Sequence, residues 1–135
     1  MNNHIVARLV VGLLPVILMT SCAGSGSPVV LPPVGPETPA PVAAGSTGQL
    51  KVYTATRDID DGNTHYFPHT SYTIYSADGK VVKKVANRTN IHDEEPTVVE
   101  LPAGTYTVLA RSASHGMVKV EVVIAAGRLT TAKLE

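Results

Sequence analysis

Tryptophan is absent from the 135 residues, and phenylalanine and cysteine occur once each. Without large aromatics, a 44% hydrophobic chain must build its core from Val, Leu, Ile, Ala and Tyr, and that β-branched bias favours strands over helices. The lone Cys22 has no intrachain partner and closes an apolar segment away from any His or Asp, which excludes an internal disulfide, a zinc site and a cysteine nucleophile together. Net formal charge is zero, so no positive field exists to recruit nucleic acid. No G-x-S-x-G elbow, phosphate loop, dinucleotide fingerprint or H-E-x-x-H occurs. Ser114 precedes His115, but sequence neighbours on a loop do not make a triad. The expectation is a protein with no catalytic residues and no cofactor.

What is present falls into three parts. Residues 1–21 carry a short polar start with His4 and Arg8 and then the apolar run 9–19, shorter than the roughly 20 residues a span requires. Pro15 interrupts that run, and the whole reads as a secretion signal. Removing it leaves ten basic against eleven acidic side chains. Residues 22–48 hold six prolines between Pro28 and Pro41 and no periodic apolar face, which predicts a disordered, Pro-rich tether of up to about 80 Å. Residues 49–135 are long enough for one domain.

Within that domain Val118, Val120, Val122 and Ile124 recur every second residue around Lys119 and Glu121, the period of a strand with one buried face. The same alternation predicts seven strands, over 49–56, 71–76, 80–86, 97–101, 105–112, 117–124 and 128–134. Asp78-Gly79 centres a hairpin turn, and Lys83-Lys84 suits an edge strand. Regular strand spacing with turn signals predicts an all-β, seven-stranded antiparallel β-sandwich.

Two resemblances extend this reading. Met19-Thr20-Ser21-Cys22 resembles the lipobox of bacterial lipoproteins, which implies lipidation of Cys22 and a membrane partner reached through that anchor. Ala23 and Gly24 follow without the Asp that signals inner-membrane retention in enteric lipoproteins, so the resemblance implies an outer-membrane address facing the periplasm or cell surface. LPAGTYTVLA, VKVEVVIAAGRLTTAKL and YTIYSADGKVV together resemble carboxypeptidase regulatory-like domains, which are prealbumin-like (transthyretin-like) sandwiches. That likeness covers about 48–134 and departs from the family pattern at Ser114-His115-Gly116-Met117 and in the loop 58–70. It implies a non-enzymatic interaction or structural module with an envelope protein as possible partner. A fibronectin type III reading fits 101–106 but lacks its Trp.

If successive strands run up and down, the loops 58–70, 87–96 and 113–116 share one end and the turns at 78–79, 102–104 and 125–127 share the other. His65, His69, His92 and His115 then gather with Asp58, Asp60, Asp61, Asp93, Glu94 and Glu95. Imidazole with carboxylate suits a divalent metal, and the alternative expectation is a metal- or small-ligand-binding lipoprotein using this end. The same groups could form a pH-responsive face. Asp58-Ile59-Asp60-Asp61-Gly62-Asn63 weakly resembles a calcium loop but has no twelfth-position Glu. Tyr53 and Tyr75 are candidates for a carbohydrate platform. With the tether entering at 49, the histidine end is expected to face away from the membrane.

Overall fold

The computed structural model describes residues 26–36 and 46–134 and is all-β, with ten strands and, among the described residues, no helix. The leader 1–21, Cys22 and tether residues 23–25 and 37–45 lie outside the described residues. No helix among the described residues is long and apolar enough to cross a membrane.

Each of the seven expected segments overlaps a strand: β2 (Thr47–Tyr53), β5 (Tyr72–Ser76), β6 (Val81–Val85), β7 (Val98–Pro102), β8 (Gly104–Ser112), β9 (Gly116–Ile124) and β10 (Leu129–Lys133). Three more appear: β1 (Val29–Val34) and the short pair β3 (Ile59–Asp60) and β4 (His65–Tyr66). One sheet has the order β1-β9-β8-β5-β6, a second β10-β2-β7, and β3 pairs with β4.

The alternation read from the sequence sets the core. Val118, Val120, Val122 and Ile124 are buried, each side chain stabilising the fold by about 2 kcal/mol of apolar burial, while Lys119 and Glu121 face water. Leu50, Val52, Val99, Leu101, Ala132 and Leu134 of the smaller sheet meet Tyr72, Ile74, Val108 and Ala110 of the larger in the same cluster. Lys83 and Lys84 lie exposed on β6, an edge strand, as expected.

Two expectations need correction. Antiparallel pairing does not hold throughout: β10 runs parallel to β2, with Leu129 opposite Gln49 and Lys133 opposite Tyr53, and β1 runs parallel to β9. The cause is the turn after β9, which carries the chain across to the other sheet. There Gly127 donates its N–H to the Thr47 carbonyl and Gln49 donates to that of Arg128. The second correction concerns the tether, part of which is a strand. Val29, Val30 and Leu31 pair with Val118, Lys119 and Val120, the register shifts across Pro32-Pro33, and Val34 pairs with Val122. Proline lacks a donor, but an edge strand uses its donors on one side only, so the two prolines are accommodated where the ladder slips. Leu31 and Val34 pack against the core.

β1 also changes the polarity of the molecule. Its start lies beside the start of β9, at the end that carries the histidine loops, and not at the end where β2 begins. The chain leaving the tether therefore reaches the histidine end first, contrary to the expectation from residue 49 alone.

Gly48 marks where β2 and the 125–127 turn touch. A Cβ there would stand 2.2 Å from the Ala125 carbonyl oxygen and 2.8 Å from Ile124 Cγ2, and the oxygen belongs to backbone that cannot swing aside. Gly48→Ala is expected to destabilise the fold by about 2 kcal/mol, read as a lower urea midpoint with an unchanged slope.

Candidate functional site

Strand direction brings the three expected loops to one end. The chain just after β2 touches β8, where Ala55 donates its N–H to the Arg111 carbonyl, and the first loop touches the second directly, with Phe67 donating to Glu94 Oε1 at 2.7 Å and the His92 ring 4.4 Å from that of Tyr66.

A buried polar knot fixes the bases of these loops. Asn87 is fully buried in the left-handed region, φ 63°, which asparagine tolerates better than other non-glycine residues. Its amide nitrogen donates to the Val52 carbonyl at 2.9 Å and to Thr54 Oγ1 at 3.2 Å, while its oxygen accepts the Thr97 N–H at 3.1 Å. Thr54 in turn donates to the Thr70 carbonyl. His69 belongs to the same knot: it is 7% exposed, donates from Nδ1 to the Thr54 carbonyl at 2.6 Å and meets the Tyr53 ring edge-on.

The acidic residues are occupied by structure. Asp60 Oδ1 accepts the Gly62 N–H, and Asp61 Oδ1 accepts those of Asn63 and Thr64, closing the turn between β3 and β4. These bonds use Oδ1 of each carboxylate to close the turn, so the segment is a capped hairpin. They also hold the Asp61 carboxyl below the usual carboxylate range, with His92 helping. Asp93 accepts the Thr89 and Glu95 N–H groups and is lowered for the same reason. Glu95 pairs with Lys51 at 2.7 Å, which raises the lysine pKa.

The four histidines share the end without sharing a centre. His65 Nδ1 lies 2.8 Å from Asp58 Oδ1 and its Nε2 4.0 Å from Asp60, and His92 Nε2 stands 3.8 Å from Asp61. His69 is turned into the knot, and His115 sits by Ser114 on the β8–β9 turn, lining a groove with β1 residues. Among the described residues no group of three or more His, Cys, Asp or Glu side chains is placed to hold a metal ion. The carbohydrate platform is likewise split. Tyr53 points outward from the smaller sheet and Tyr75 from the larger, on opposite faces of the body.

Sequence reasoning passed over a cleft of about 220 Å³ at this end, lined by Arg57, His69, Thr70, Ser71, Ala86 and Arg88. The available signal was positional: each arginine lies just beyond a residue bound into the Thr54–Asn87–His69 knot or its neighbouring bridge.

Comparison with protein-family models, with curated proteins and with solved structures finds no match to the chain.

Asn87→Ala removes three hydrogen bonds and leaves the Val52 carbonyl and Thr97 N–H unpaired. It is expected to cost about 3 kcal/mol in chemical denaturation, with increased protease cutting inside 87–97. For pH, Asp61 and Asp93 have folded values below their unfolded ones. Their contribution is present above the unfolded value and lost as pH falls through the folded one, a window below about pH 4. Protection factors of the amides of Asn63, Thr64, Thr89 and Glu95, taken relative to intrinsic exchange at each pH, should fall there before those in β8 and β9 do.

Proposed function

We propose that the chain is a lipid-anchored envelope protein whose body is a seven-stranded, prealbumin-like sandwich serving as a non-enzymatic interaction or structural module. The observation that carries this reading is β1. Six residues after Cys22, at Pro28, the chain reaches the body and is then bonded to the edge of the larger sheet, so force on the anchor is delivered along a strand. Lipid chains on Cys22, each buried CH₂ contributing about 0.8 kcal/mol, would hold such a body close to a bilayer.

The seven-stranded count is supported by setting aside β1 and the two-residue pair β3/β4, which leaves four strands in one sheet and three in the other with first and last running parallel. Support for an interaction role lies at the loop end, where side chain to backbone bonds and a tilted ring contact between loops make a preformed surface. The short reach from Cys22 to Val29, about 25 Å if fully extended, turns that surface toward the membrane the anchor occupies. An outer-membrane address follows the residues after Cys22.

Expression in a bacterial host with a radiolabelled fatty acid is expected to label the protein and to place it in the membrane fraction. Cys22→Ser should abolish both labelling and sedimentation while leaving the strand signature in circular dichroism. Label retained by the Cys22→Ser chain would defeat the anchor.

A further inference from the structure

The charge arrangement at the loop end is lopsided. Its carboxylates are occupied: Asp58 by His65, Asp60 and Asp61 by turn amides, Asp93 by Thr89 and Glu95, Glu94 by Phe67 and Glu95 by Lys51. Arg57 and Arg88, by contrast, make no ion pair among the described residues, although they line one cleft. No acidic side chain is among the six residues that line it. Arg57 is exposed and Arg88 half-buried, so Arg88 has given up part of its hydration with no counter-charge in an ion pair among the described residues. An anion in the cleft would supply one.

The placement of the arginines follows from the knot. Arg57 is fixed by its N–H bond to the Pro68 carbonyl, directly after the bridge between Thr56 and His69. Arg88 follows Asn87, whose left-handed backbone is set by its bonds to β2 and to Thr97. Neither arginine depends on a surface loop being free to close.

His69 supplies the second, independent observation. It is more than nine-tenths buried and lines the cleft, and its Nδ1–H is committed to the Thr54 carbonyl. That bond places a proton on Nδ1, so in the neutral ring Nε2 carries the lone pair and is the ring atom available to a ligand. A site with two donor forks, the Ser71 hydroxyl and one imidazole acceptor suits an oxyanion that also carries a proton. Carboxylate and sulfate bring acceptors only, whereas a phosphate monoester or hydrogen phosphate brings acceptor oxygens for the guanidiniums and a P–OH for Nε2.

We propose that the cleft between Arg57 and Arg88 is a binding site for a monosubstituted or free phosphate, with the two guanidiniums holding its oxygens and His69 Nε2 accepting its proton. This rests on described side chains and does not depend on lipidation of Cys22. The phosphate could be soluble or could be the terminal phosphate of a lipid, and the two sources are separable.

The test is an NMR titration of the full-length protein in phosphatidylcholine nanodiscs, following the amides of Thr70, Ser71 and Arg88. Inorganic phosphate is expected to give saturable shifts, with sulfate binding about tenfold more weakly, the loss of one charge-assisted bond. Nanodiscs doped with phosphatidic acid, without free phosphate, producing the same shifts would support the site with a lipid as source. Discs that leave them unchanged while inorganic phosphate moves them would support it with a soluble ligand. Arg57→Gln with Arg88→Gln should weaken binding at least tenfold with the rest of the spectrum intact. Arg57→Lys with Arg88→Lys, which keeps charge but not the forks, should fall between, and Arg128→Gln should change nothing. Absence of shifts with both phosphate probes, equal affinity for sulfate, or undiminished binding by the double Gln variant would overturn the proposal.

Discussion

The loop end of this protein hangs on one side chain. Asn87 replaces the backbone hydrogen bonds that stop where β2 leaves β7, bonding the Val52 carbonyl on one side and the Thr97 N–H on the other. Through Thr54 it also reaches Thr70, and through the Thr54 carbonyl the bond continues to His69. A two-sheet body must leave buried backbone groups where strands diverge into loops, and each such group left unpaired costs free energy comparable to a lost hydrogen bond. Here the divergence is closed by side chains from three separate segments. The bases of the 58–70 and 87–96 loops are therefore tied to β2 by side-chain hydrogen bonds, a condition for a surface that recognises a ligand without rearranging.

The same economy explains the acids. A run of carboxylates on loops invites a metal or catalytic reading, but these oxygens accept backbone N–H groups two to four residues away, the local geometry that competes with regular structure in Asp-rich turns. The arginines carry no such duty, so the chemistry left open at this end is cationic even though its composition is acidic.

How much of this could be read from residues alone depends on range. Alternation along 101–134 marks β8, β9 and β10 because a period of two is a local property, and the up-and-down consequence correctly gathers the three loops. Parallel pairing of β2 with β10 was not legible, since nothing in either strand records a partner some eighty residues distant. β1 was hidden by a rule applied too broadly: prolines exclude a central strand but only interrupt an edge. β3 and β4, two residues each, are too short to show a period. The histidines were expected together because strand direction fixes which end a loop occupies, but not where its side chains point. His69 belongs to the interior because its ring satisfies a buried carbonyl, a demand visible only once β2 is placed.

Each outer edge of the two sheets carries a feature that disfavours pairing with another chain. Exposed strand edges pair with other chains unless they are spoiled. β6 is spoiled by Lys83 and Lys84, and its exposed Val81 and Val82 sit beside that charge. β7 is five residues long, follows Pro96 and ends at Pro102, which limits how far a foreign strand could zip. β10 has the same length and lies near β1 across the open side of the body. β1 itself ends the larger sheet with Pro32-Pro33, so the residues that look like a linker also act as the cap that stops the sheet from growing. The body is thus closed to further strands on that side, and because β1 starts beside the start of β9 the same six residues begin at the loop end.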